Sequence, residues 1–312
     1  MPKNGRSIDG SVAEVVSARL RSGSRRDGCT LAVVMEGGGM RGVISAAMAG
    51  QLELAGVRDI VDVVVGTSAG AVNAACFTAG MSQQLSRCYV DTFSSSDYAN
   101  PRALLRGRPI ADSAKIVADT ETRFGFGAAA LNASCRLAAV ATDIDAAAPR
   151  LLTDFADAAD LFGALQASAT LPVFGGAPVH YRHTRWLDGG ITDAIPIAAA
   201  AELGATHAIV LTTRAAGATP SIGMVDHAIA SYLRRLKPAL AVSYLSRPER
   251  YTVQRAALDS GWCQGVATTV IAPDPRDPVP SRLDRNPDRL EAARAAAVQA
   301  ARAMVRTWTP VR

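Results

Sequence analysis

Two kinds of apolar segment alternate along the chain. Short runs rich in β-branched residues, "LAVVM" (31–35), "IVDVVVG" (60–66) and "HAIVLTT" (207–213), are apolar nearly throughout instead of at every second position. A strand covered on both faces reads this way, because neither of its sides meets water. Between the first two runs, residues 43–56 show helical apolar spacing and stop at Gly56. "AGAVNAACFTAG" (69–80) follows the second run and ends at Gly80. Strand–helix alternation of this kind predicts an α/β fold, three layers deep (α/β/α), with a mainly parallel central sheet.

The middle of the chain is less regular. Helices are expected at 82–93 and 110–122, a strand at 135–144, and a helix at 157–169 that runs into "ASATLP". A further helix starts near Pro196, and others are expected at 224–236, 248–261 and 287–306, with a strand at 268–273. The proline- and charge-rich segment 272–287 reads as a surface loop. Residues 1–28 read as a polar lead-in with one short helix. Residues 29–312 read as one domain, with a motif-bearing core at about 30–215 and a helical part at about 216–312. No internal repeat is visible.

Composition narrows the class of protein. With 312 residues, 49% of them hydrophobic, the chain can bury a sizeable core, and disorder away from its ends is excluded. A net charge of +5 is mild at this length, so no nucleic-acid partner is expected, while transient contact with an anionic lipid surface stays open. Cys29, Cys76, Cys88, Cys135 and Cys263 form an odd set without C-x-x-C spacing and read as free thiols of a reducing compartment. The segment "MPKNGRSIDGSVAEVV" has no apolar core of a secretory signal, and no apolar run nears the ~20 residues of a membrane span. A cytoplasmic protein is expected, with no cofactor or metal implied. Its oligomeric state is not legible.

Candidate chemistry sits at three places. "GTSAG" (66–70) fits G-x-S-x-G, with Ser68 where a strand becomes a helix. A nucleophile elbow needs small neighbours because the turn is tight and holds the serine in a strained conformation; the bland alternative is an ordinary tight turn. The backbone N–H of Ala69 and the positive end of its helix would face the site. "EGGGMRG" (36–42) places three glycines after a strand, exposing backbone N–H groups able to act as an oxyanion hole or a phosphate cradle. It also satisfies G-x-G-x-x-G, a weak dinucleotide fingerprint here because no acidic ribose ligand follows a second strand, and no Lys-Ser or Lys-Thr makes it a P-loop. "DGGITDAIP" (188–196) exposes Asp188 at a turn, as a candidate base or as a plain Asp-Gly turn. The four histidines are weaker bases-in-waiting. His207 opens an apolar strand, His227 sits in a helix, and His180 and His183 either line a site mouth or face solvent.

Taken together and in this order, "GGGMRG", "GTSAG" and "DGG" resemble the patatin-like phospholipase family, whose pattern is Gly-Gly-Gly-x-Arg/Lys-Gly, then G-x-S-x-G, then Asp-Gly-Gly/Ala. "VATDIDAAAPRLL" (140–152) and "ASATLPVFGGAPV" (167–179) are softer likenesses, and the resemblance covers about residues 30–215. It implies a Ser-Asp dyad with Ser68 as nucleophile and Asp188 as base, so that no histidine is needed. It further implies an oxyanion hole from the backbone of Gly37, Gly38, Gly39, Met40 and Ala69. Arg41 holds the glycine loop or meets a substrate phosphate. The implied activity is hydrolysis of lipid or other acyl esters through an acyl-enzyme. Acyl transfer or thioester cleavage is the enzymatic alternative, and a catalytically silent binding module or a nucleotide-dependent oxidoreductase are alternatives of other classes.

Overall fold

A computed structural model describes residues 10–98, 100, 110, 113–172 and 175–308. Residues 1–9 of the lead-in, residues 111–112 of the expected 110–122 helix and Val173–Phe174 of the softer motif lie outside the described residues.

A nine-stranded sheet forms the middle layer. Its strands are β1 (Leu31–Met35), β2 (Val63–Thr67), β3 (Arg136–Asp143), β4 (Ala148–Leu152), β5 (Val179–Tyr181), β6 (Thr184–Asp188), β7 (His207–Leu211), β8 (Trp262–Cys263) and β9 (Val266–Ile271). The order is β5-β6-β3-β2-β1-β7-β9-β8, with β4 attached to β3. The centre is parallel, through β3-β2-β1-β7-β9, and the margins are antiparallel.

Continuous apolar strands predict two covered faces, and the alternation of side chains confirms both. Leu31, Val33 and Met35 of β1 enter one core cluster, while Ala32 and Val34 enter a second on the opposite face. Val64 and Ile209 join the first cluster, and Val63, Val65, Ala208 and Val210 the second. The first face is covered by α2 (Gly42–Leu54), α3 (Ala69–Ala79) and the long C-terminal helix at Pro287–Trp308, which packs along α2. The second is covered by a short helix at Ile197–Glu202 and by the helix at Arg247–Asp259, through Ile197, Tyr251 and Leu258.

α1 (Val12–Ser22), the helix of the polar lead-in, packs on the first face of the sheet. Ser11 and Glu14 form a capping box at its start, and Val12 and Val16 are buried in the first cluster. Arg19, 1% exposed, reaches from α1 to Asp27, Asp62 and the carbonyls of Ile60 and Cys29. One guanidinium thus ties α1 to the start of both central strands.

Candidate active site

Register brings the two candidate groups together before any side chain is considered. β2 ends at Thr67, opposite Val140 of β3, and the next β3 residue, Ala141, is paired with Asp188 at the end of β6. Ser68 and Asp188, 120 positions apart, therefore leave the sheet side by side. The Ser68 hydroxyl donates to Asp188 Oδ2 at 2.6 Å.

The turn at Ser68 has the strained geometry of an elbow. Its φ is 58° and its ψ is −129°, a combination costing a non-glycine residue about 1–3 kcal/mol. Small neighbours are required because backbones meet here. A Cβ on Gly66 would lie 2.1 Å from the Gly70 carbonyl oxygen, and one on Gly37 would lie 2.6 Å from Thr67 O and 2.9 Å from Ser68 Cβ. The turn is held from outside by Ser168, whose hydroxyl accepts from Ser68 N (2.9 Å) and donates to Val140 O (2.6 Å).

Asp188 is buried, and each of its oxygens is engaged. Oδ1 accepts from Gly190 N at 2.7 Å, leaving Oδ2 to the serine. Its own backbone is fixed by donation to Thr170 O and by acceptance from the Thr142 hydroxyl. Burial pushes its pKa above the ordinary carboxylate value of 3.8, opposed by the hydrogen bonds from Ser68 and Gly190 and by the positive charges of Arg282 and Arg247. The result is a carboxylate more basic than one in water, pointed at a hydroxyl.

The glycine loop lies against this pair. Gly37 N donates to Ala194 O (3.4 Å) and Met40 N to Arg282 O (3.0 Å). Gly38 N, Gly39 N and Ala69 N have no acceptor among the described residues, so these three of the five expected donors remain available to a ligand. Two residues that the motifs do not single out brace the loop. Glu36, buried, accepts from Thr213 N (2.7 Å) and the Tyr251 hydroxyl (3.2 Å). Asn73, one turn into α3, donates to Gly42 O and accepts from the Tyr89 hydroxyl. Glutamate directly before the glycine run and asparagine on the buried side of an alanine-rich helix are the sequence signals that could have found both. Arg41 is buried, its Nε lacks a partner, and burial with the neighbouring charges of Arg214 and Arg282 pushes its pKa down to about 9.

Ser68, Asp188, Glu36, Arg41 and the glycine loop open into one cavity of about 180 Å³, lined by both apolar and basic side chains. A single water needs roughly 10–15 Å³ of such space, so the cavity has room for an organic group as well as a water. No histidine lines it. His180 and His183 lie exposed on the β5–β6 hairpin, His227 is exposed, and the His207 ring sits between the Thr206 hydroxyl and Gly10 O. Among the described residues, no cluster of His, Cys, Asp and Glu could hold a metal ion, and no helix is long and apolar enough to cross a membrane. The five cysteines are free.

Comparison with known proteins adds three findings. The family model for patatin-like phospholipase matches residues 33–201. An uncharacterised protein of Escherichia coli (strain K12), YjjU, is 28% identical over 194 residues, which is 59% of this chain and 52% of that protein. The chain thus spans about half the length of this curated relative. The crystal structure of VipD from Legionella pneumophila aligns over 88% of this chain and 67% of that one, at 12% identity and a TM-score of 0.40.

Proposed function

This chain belongs to the patatin-like phospholipase family, and from that premise we propose that it is a serine acyl hydrolase cleaving carboxylic esters of lipids through Ser68 and Asp188. The observation that carries the reading is the 2.6 Å hydrogen bond from a strained, cavity-lining serine to a buried carboxylate.

In this mechanism Ser68 Oγ attacks the ester carbonyl carbon while its proton passes to Asp188 Oδ2. The carbonyl π electrons move onto oxygen, and that oxyanion is met by the N–H groups of Gly38, Gly39 and Ala69 at the positive end of α3. Collapse of the tetrahedral intermediate re-forms the carbonyl and breaks the bond to the alcohol oxygen, which takes the proton from Asp188. Water then attacks the acyl-enzyme, Asp188 accepts its proton, and the acid leaves as Ser68 is restored. Even a raised carboxylate pKa makes a modest base, so positioning and the oxyanion donors carry much of the barrier reduction. One oxyanion donor is worth about 10²–10³ in rate and general-base help about 10²–10⁴.

The test is covalent labelling. A fluorophosphonate should modify Ser68 in the wild-type protein, located by mass spectrometry of peptides, and labelling should drop in Asp188→Asn. Labelling elsewhere, or none, would refute the assignment of Ser68 as nucleophile.

A further inference from the structure

The cavity has two chemically different walls, and the topology separates them. Val72, Phe93 and Ile116 line it from segments that follow β2, and Leu171 from the segment that follows β4. Arg214 lines it from the segment after β7, Arg282 from the segment after β9, and Arg247 from the start of the helix that packs on β9. β2 and β1, neighbours at the centre of the sheet, deliver Ser68 and the glycine loop. An ester seated at Ser68 would therefore have an apolar wall to one side and a basic wall to the other.

The basic wall carries more guanidinium charge than its ion pairs with Asp226 and Glu36 balance. Arg282 makes no side-chain hydrogen bond or ion pair with a described residue; only its carbonyl is used, by Met40 N. Arg247 is buried, stacked on the Tyr244 ring and fixed to Asp226 through one nitrogen, while its Nε has no partner. Arg214 comes only within 3.9 Å of Glu36. Arg41, only 7% exposed, leaves its Nε without a partner in the same cavity. The guanidinium charges disfavour one another: Arg282 acts against the protonation of both Arg41 and Arg247. An anion with several acceptor oxygens relieves this repulsion and supplies the missing acceptors at once.

We infer that Arg214, Arg247 and Arg282, together with Arg41, form a subsite for the phosphate of an anionic ester substrate, so that the enzyme favours anionic over zwitterionic head groups. The inference rests on the hydrolase reading above. Discrimination follows from what the cavity withholds from an ammonium. Its lining carboxylates are Glu36, engaged by Thr213 N and the Tyr251 hydroxyl, and Asp188, engaged by Ser68 and Gly190. Asp226 is taken by Arg247, Tyr244 and Gly223 N. A choline-type cation would meet arginines with no free carboxylate beside them.

The test compares short-chain phosphatidylglycerol with short-chain phosphatidylcholine in nonionic detergent micelles, as a ratio of kcat/KM. Wild type should favour the phosphatidylglycerol. Arg282→Gln should lower that ratio at least about tenfold, as expected for a lost charged hydrogen bond, and Arg282→Lys should keep most of it. A wild-type ratio at or below unity, or a ratio unmoved by Arg282→Gln, overturns the inference. Calorimetric titration with glycerol phosphate, glycerophosphocholine and inorganic phosphate reads the subsite without turnover. Glycerol phosphate should bind tightest and should weaken in Arg282→Gln. Inorganic phosphate binding equally well would point to a free anion and overturn the head-group assignment. Glycerol phosphate binding by a protein whose Ser68 does not react with fluorophosphonate would sink the hydrolase reading and leave the anion subsite standing.

Discussion

Replacing Ser68 by alanine and by glycine separates the strain of the elbow from the loss of its hydroxyl. Both variants remove the hydrogen bond to Asp188 Oδ2 and leave the same buried oxygen without its donor, so that cost cancels between them. They differ in backbone. Alanine keeps a Cβ at φ 58° and ψ −129°, where a side chain costs about 1–3 kcal/mol, and glycine removes it. Glycine in turn loses about 0.5–1 kcal/mol more conformational freedom on folding. Ser68→Gly should therefore be the more stable of the two by about 0.5–2 kcal/mol. At roughly 2 °C per kcal/mol for a chain of this size, its melting temperature should lie about 1–4 °C higher. Thermal melts of both purified variants decide it, with neither expected to hydrolyse esters. An alanine variant melting at or above the glycine variant would refute the claim that folding stores strain at Ser68.

Gly37→Ala should destabilise the protein by about 1–3 kcal/mol and cut esterase activity at least about tenfold, because its Cβ meets Thr67 O and Ser68 Cβ inside contact distance; urea denaturation and initial rates check both. The raised pKa of Asp188 gives two pH effects. Activity should fall on the acid side along a limb displaced above the ordinary carboxylate range, since the base must be ionised. The native state also holds that proton to higher pH than the unfolded chain, so this group's contribution to stability declines as pH rises from 3.8 through the raised value. Asp188→Asn should accordingly match or exceed wild type in stability at neutral pH and lose that advantage in acid; a variant markedly weaker at neutral pH would contradict the reasoning. Arg19→Met should cost about 3 kcal/mol in urea denaturation, the low end for a broken buried ion pair, because Asp27 and Asp62 keep 31% and 25% side-chain exposure.

What was legible in the sequence follows from which strands are buried on both faces. β1, β2 and β7 announce themselves as continuous apolar runs, and the glycines after β1 and around the end of β2 mark where backbones must approach. β6, which delivers Asp188, did not. It reads "TRWLD", mixed in polarity, because it lies near the sheet margin, and the β5–β6 turn uses Arg182 and His183 at φ 45° and 61° where a glycine would have flagged a hairpin. Asp188 was thus found by its motif and not by its strand. The brace at Ser168 is set by a contact to Ser68, 100 positions away, that no local spacing encodes. The arginine wall is hidden for a different reason. Arg214, Arg247 and Arg282 are scattered along a chain whose basic residues are nearly all arginine, and only the topology gathers them.

The most direct measurement is hydrolysis of p-nitrophenyl butyrate by wild type, Ser68→Ala and Asp188→Asn, each first shown to be folded by circular dichroism. The expected result is wild-type turnover reduced by about 10³-fold or more in both variants, since each removes a group that acts on the reacting atoms. Wild-type rates in Ser68→Ala, or a fully active Asp188→Asn, would contradict the Ser68–Asp188 mechanism.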